Sequence, residues 1–374
     1  PPHPNCLGHE TPSARVLTTP ASVNHVVALT LTEQRMMTPS RKKSSWLCVL
    51  LVVSLSLLVV ACKASSQLFT AGCKADDEIS AKDRESVGQV ALKFVQDALG
   101  PNSSTAFAAF TADAKKSVPL EQFVSGFQNS IKPMGPFKDL RVAHTYVPRV
   151  TGGTQEQRVV CGNLSSPETW VAVNARPGPA EAYVIVEGDT VNNTHAFVIW
   201  LIPEQGNWRV QYVQFATITM VGKSADDLQK MAASENEKQH NFNAFILYAA
   251  ALQLADRGPF FQLGIRPEIE KAIGNVQRPP VLQGKAPFVW NFDKSTFRVL
   301  NVGAIGIGGK IYLHIDHEIE PWAEDKEADG KNRDLITAFA KAYPEYKEAF
   351  AVLVVRAHER GGNRGFGTVD ENQK

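Results

Sequence analysis

Trp46–Ala61 is a run of 16 uncharged, mostly aliphatic residues that stops at Cys62. It falls short of the ~20 apolar residues a spanning helix needs, and it is near the upper end for the apolar core of an export signal. Arg41, Lys42 and Lys43 stand just ahead of it as a short cationic segment. Together they read as a signal peptide over 37–61, so the fold is expected to begin only beyond it. Such a signal starts close to its cationic segment, which makes Met36 or Met37 the expected start. Residues 1–35 are rich in Pro, Thr and Ser without sustained periodicity. They are read as untranslated or disordered upstream sequence and are set aside from fold reasoning.

The run ends Val59-Val60-Ala61-Cys62. This resembles the lipobox of bacterial lipoproteins, and the resemblance covers these residues alone. It implies that Cys62 is acylated and becomes the first mature residue. The partner it implies is membrane lipid, and the location is the bacterial cell envelope, facing the periplasm or the exterior. Each buried CH₂ of an acyl chain contributes ~0.8 kcal/mol, so two or more chains anchor stably. Thr70-Ala71-Gly72-Cys73 also has small residues before a cysteine. It lacks the aliphatic residue and lies too far from the apolar run.

With Cys62 acylated, Cys48 inside the signal and Cys6 upstream, Cys73 and Cys161 remain. In an oxidising compartment they either pair or stay as two thiols. A net charge of +1 gives no reason to expect nucleic acid, and no basic cluster stands out beyond the signal. Lys63 to about Ile79 carries Ser, Ala and Lys with acidic residues, and 62–79 is read as a tether.

From Asp83 to Leu99, Val87, Val90, Ala91, Phe94, Val95 and Ala98 share one helical face, and Gly100-Pro101 ends the helix. A short helix with Phe107 and Phe110 follows, then one with Phe123, Val124, Phe127 and Ile131, broken at Pro133. The period then becomes two. Strands are expected near 137–147, 157–162, 168–175, 181–187, 194–202 and 208–220, the last two joined by a turn at 203–207. Ser86–Leu99 (SVGQVALKFVQDAL), Ile131–Val142 (IKPMGPFKDLRV) and Phe197–Phe215 (FVIWLIPEQGNWRVQYVQF) resemble the NTF2-like (cystatin-like) superfamily. That resemblance implies a cone-shaped α+β domain over 80–222, with helices on one face of a curved antiparallel sheet. Such cones often hold an apolar pocket.

A second α+β domain of unrecognised family is expected over 223–374. Ser224 opens a helix through a capping-box pattern, Ser234–His240 bends or interrupts it, and Phe242–Leu254 is apolar all round. A short helix from Pro267 and a break at Pro279-Pro280 follow. Strands are expected near 287–293, 296–303, 310–319 and 351–358, helices near 332–343 and 345–350, and a polar Gly-rich tail from Gly361. The chain as a whole reads as α+β, two domains of helices packed on curved antiparallel sheets.

Gly303–Lys310 is Gly-rich, but Gly309 and Ile311 break the phosphate-loop pattern and a strand follows it. A turn with a bulge accounts for it. His314, Asp316, Glu318 and Glu320 alternate along one strand with Tyr312, a possible divalent-metal face. Ile311, Leu313, Ile315, His317 and Ile319 make the core side, so a solvated outer face is the simpler reading, and no metal or cofactor is assigned. The NTF2-like resemblance implies that His144, Tyr146, Tyr183 and His195 could line a pocket, with Asp139 as proton acceptor. None sits in a motif that fixes a role, and no catalytic residue is assigned. The expected function is a non-catalytic binding or envelope-interaction module, acting on a protein partner or small apolar ligand. The alternative is an enzyme or an apolar-ligand carrier using the cone pocket.

Overall fold

The structure is a computed structural model that describes residues 70–370, apart from 102 and 294. The signal over 37–61, Cys62 and the upstream segment 1–35 lie outside the described residues. The fold is mixed α+β. Among the described residues, no helix is long and apolar enough to cross a membrane.

Helix α1 (Ala81–Leu99) opens on Ser80, whose hydroxyl accepts from the Asp83 N–H. It buries Val87, Ala91, Phe94, Val95 and Ala98, the stripe its spacing requires. Three short helices follow, α2 (Ser104–Phe107), α3 (Ala112–Ser117) and α4 (Leu120–Gly126), and the last two bury Ala114 and Phe123. These helices cover one face of a sheet of five antiparallel strands, ordered β1 (Thr70–Ala75), β2 (Lys138–Thr151), β5 (Ala182–Asp189), β6 (Thr194–Glu204) and β7 (Asn207–Thr217). The β6–β7 turn falls at Gln205 and Gly206, both with positive φ.

The opposite face of this sheet is buried too. Strands β3 (Gln157–Gly162), β4 (Trp170–Ala175) and β8 (Phe261–Leu263) form a smaller antiparallel sheet. Cys161, Val171, Val173 and Phe261 from it pack on Tyr183, Ile185, Val198 and Trp200. Two boundaries therefore move. Strand β1 lies within the 62–79 stretch read as a tether, and it pairs with β2, Cys73 opposite Pro148. Cys73 is disulfide-bonded to Cys161, which resolves the thiol alternative in favour of a pair. Strand β8 comes from the 223–374 half yet completes a sheet with β4, Phe261 opposite Val173. The boundary at 222 is thus crossed by a strand pairing.

The remaining helices are α5 (Ala225–Glu237), α6 (Asn241–Ala255), α7 (Arg266–Asn275), α8 (Asp325–Ala342) and α9 (Tyr346–Ala349). The Ser224–Asp227 capping box is formed, and the polar stretch 234–240 separates α5 from α6. Helix α6 buries Phe242, Leu247, Ala251 and Leu254 around its girth. It packs in one core with Leu335 and Phe339 of α8 and with the inner face of the third sheet. That sheet runs β13 (Gly365–Val369), β12 (Leu353–Glu359), β11 (Lys310–Ile319), β10 (Ser295–Ile307) and β9 (Phe288–Phe292). Its β11–β12 pair is parallel, because α8 and α9 form the crossover between them.

The Gly-rich segment is a turn at Gly308-Gly309, where both residues have positive φ. Its bulge falls earlier, between Val299 and Asn301. Gly306 stays in the strand, and a Cβ there would come within 2.8 Å of Val221 and 2.9 Å of Met220. The tail from Gly361 holds strand β13, which buries Thr368. Asn332 of α8 fixes it through its amide, donating to Phe366 O at 3.0 Å and Thr368 Oγ1 at 2.9 Å.

Candidate functional site

Where a cone would hold its pocket, between the helices and the first sheet, aromatic rings pack against one another. Phe123 stands 4.8 Å from Phe127 and 5.1 Å from Phe110, ring centre to ring centre. Phe197 lies 5.1 Å from Phe215 and 5.8 Å from Phe137. Phe94, Phe123, Phe127 and Phe197 are all buried.

The sequence candidates divide between the two faces of the first sheet. Cross-strand partners in an antiparallel sheet share a face. His144 pairs with Ile185, and Tyr146 pairs with Tyr183, on the side away from the helices. His195 pairs with Gly188, whose missing Cβ makes room for Leu140 on the helix side. Asp139 is exposed with a positive φ, at an irregularity in the β2–β5 ladder, and lines neither the cleft beside His144 nor the recess beside His195. Tyr183 is wholly buried, stacks on Trp200 at 5.3 Å and donates to Asn174 O at 2.8 Å.

His195 is 2% exposed, and its ring nitrogens meet Thr190 Oγ1 at 3.1 Å and Thr217 Oγ1 at 3.2 Å. It stacks on Phe215 at 5.2 Å, at the base of a shallow recess with Thr190, Asn193 and Met134. Burial pushes its pKa down to about 4, against a weaker upward pull from Asp189. Burial also lowers His314 and His317. A histidine held neutral in the fold stabilises fully above the unfolded value near 6.5. That contribution falls as pH drops from 6.5 towards about 4, then levels. At about 1.4 kcal/mol per unit, His195 accounts for a loss of roughly 3 kcal/mol at most. We expect its ring protons to titrate below pH 5 by NMR, and urea midpoints to fall between pH 7 and 4.5. A His195 midpoint near 6.5 would refute this.

The outer face of β11, expected to be solvated, is buried in part. His314 and Asp316 are 8% and 4% exposed, so this part of the strand is buried and not solvated. Asp316 Oδ1 lies 3.3 Å from His314 Nε2 and 2.8 Å from His358 Nε2, and Asp316 Oδ2 accepts from Asn301 at 3.3 Å. Glu318 and Glu320 are both paired with Arg360. Tyr312 is half-buried, and His317 meets Asn332 Oδ1 at 2.7 Å. The described residues hold one group with metal-ligand spacing, Glu235, His240 and Glu348. There the Lys238 ammonium already supplies the cation, 2.8 Å from Glu235 and 3.3 Å from Glu348.

A cleft opens on the far side of the first sheet, where β8 and the α6–β8 turn lean over β2 and β5. It encloses about 170 Å³. His144, Tyr146, Glu187 and Arg257 supply its polar lining; Ile185, Phe261 and Leu263 supply apolar wall. Asp76, just after β1, orients the histidine: its Oδ1 accepts the Thr145 N–H at 2.8 Å and its Oδ2 lies 3.0 Å from His144 Nδ1. Glu187 is held by Arg141 Nη2 at 2.7 Å. Arg257 is 8% exposed, and its Nη1 donates to Leu254 O at 2.5 Å and Asp256 O at 2.9 Å. Burial lowers its pKa to about 10, partly offset by Asp256 and Glu187, so it stays charged at neutral pH. Burial, with the Asp76 charge, raises the Tyr146 phenol.

His144 and Tyr146 were legible as candidates. Asp76, Glu187 and Arg257 were not, because separate strands and a turn bring them together and no local spacing marks them. The fold and this cleft define an α+β protein with a small polar cavity between two packed sheets. Comparison with protein-family models, curated proteins and solved structures returned no match.

Proposed function

We propose that the chain is an exported lipoprotein of the bacterial cell envelope, anchored through acylated Cys62, that binds a ligand or partner without transforming it. The filled cone carries this reading. With Phe94, Phe110, Phe123, Phe127 and Phe197 packed between helices and sheet, little space is left there for a substrate. Recognition then falls to the outer surface and to the cleft on the opposite face. The Cys73–Cys161 disulfide supports export, since such bonds persist in oxidising compartments. The NTF2-like reading of 80–222 belongs to the same proposal, and helices gathered on one face of an antiparallel sheet support it.

A second reading, an enzyme, draws on one observation: Asp76 holds His144 as a carboxylate holds a general base. Among the cleft-lining residues there is no serine, threonine or cysteine for that base to activate.

For the anchor, Cys62→Ala is expected to abolish incorporation of labelled palmitate and to release the protein from the membrane fraction. Undiminished labelling of the variant would overturn it.

A further inference from the structure

Arg257 is a buried guanidinium with an unfilled side. Among the described residues, no carboxylate lies within ion-pair distance of it, and only its Nη1 has acceptors, both backbone carbonyls. Those carbonyls belong to the end of α6 and the turn beyond it, where a cation is favoured by the helix dipole. They leave Nε and Nη2, the fork that matches a carboxylate, without an acceptor among the described residues, and the residue itself lines a cavity. Removing a charge from water is costly unless it is paired, so this edge favours an anion. Glu187 in the same lining acts on Arg257 only from beyond ion-pair distance, its Oε2 being held by Arg141. On the same wall, Asp76 occupies Nδ1 of His144, and Nε2 has no partner among the described residues.

The rest of the lining limits what the anion is attached to. Ile185, Phe261 and Leu263 are apolar, so a bare inorganic ion would leave much of the wall unmatched. A cavity of about 170 Å³ is close in size to one of ~150 Å³ that accepts benzene, so a ligand of roughly six or seven heavy atoms fits it.

We propose that this cleft is a binding site for a small organic carboxylate, seated on the Nε and Nη2 edge of Arg257 and flanked by His144, with its short carbon chain against Ile185, Phe261 and Leu263. It rests on the reading of the chain as a binding protein and names the ligand class. Palmitate labelling tests the anchor separately, so loss of one result leaves the other standing.

The test is calorimetric titration of the detergent-solubilised full chain with sodium propionate, against propionamide and sodium chloride at matched ionic strength. Propionate is expected to saturate at one per chain, and neither control is expected to bind. Arg257→Lys keeps the charge and the helix cap but loses the fork, and should weaken binding about tenfold or more. His144→Ala lies at an exposed position and should fold even where the arginine variant does not; it should weaken binding roughly three- to tenfold. No saturable heat with propionate, equal binding of propionamide, or unchanged affinity in His144→Ala together with any folded Arg257→Lys would overturn the proposal. Arg257 would then be a cap for α6 and nothing more.

Discussion

Replacing Cys73 and Cys161 together by alanine is expected to lower the unfolding free energy by about 2–5 kcal/mol. The two residues stand 88 apart in sequence, so the bond closes a long loop in the unfolded chain. In the chain-entropy account, a loop near 100 residues sits at the upper part of that range. The bond also has a local task. Among the described residues, strand β1 sits at the end of its sheet and pairs with β2 alone. The disulfide ties it across to β3 in the smaller sheet, where Cys161 is 1% exposed. Two measurements check this. Urea midpoints of the native protein should fall to those of the double variant on adding dithiothreitol, while the variant should not respond. Amide exchange over Thr70–Ala75 should quicken in the variant well before the core strands respond. A native protein indifferent to reductant would count against the bond.

Loss of β1 order would reach the cleft as well. Asp76 follows β1 directly and orients His144 from there. The disulfide and the cleft thus meet at one short segment, whose local composition reads as a linker. Its residues, Thr-Ala-Gly-Cys-Lys-Ala, include one β-branched residue and no aromatic, too little to mark a strand. Pairing with β2 and the covalent bond make it a strand in spite of that. Strand β8 was hidden for a related reason, since three residues are too few to show any period.

What was legible followed from periods longer than these. The stripe of α1, the capping box at Ser224, the turn at Gln205-Gly206 and the apolar girth of α6 all lie where local spacing placed them. His144 and Tyr146, named through the NTF2-like resemblance, lie on one face of β2. The relative facing of His144 and His195 depends on the β2–β5–β6 register and on the irregularity between Val142 and His144. A one-residue shift inverts every facing beyond it, so no reading of single strands could separate the two histidines. The outer face of β11 misled for another reason. His314, Asp316 and His358 satisfy one another across two strands, so polar residues are buried where alternation implied solvent.

Phe123→Ala is expected to cost about 3–5 kcal/mol, the range for emptying a buried aromatic site. Phe123 is 6% exposed and touches four other rings, with centroids at 4.8 Å (Phe127), 5.1 Å (Phe110), 6.0 Å (Phe107) and 6.2 Å (Phe94). Phe123→Leu keeps most of the volume and should cost much less. The comparison also decides between the binding module and the carrier. If the native interior is filled, benzene should leave its thermal midpoint unchanged, while the alanine variant should regain part of its loss as benzene enters the new cavity. A ligand that binds only the folded state stabilises it by about 2.7 kcal/mol at a hundred times its Kd, an effect large enough to read in a melting curve. Stabilisation of the native protein by benzene, abolished when the cone is overfilled by Ala106→Leu, would instead mean that an apolar pocket is already open between helices and sheet. The carrier reading would then replace the one proposed here, and the carboxylate cleft would become a second site on the far face of the same sheet.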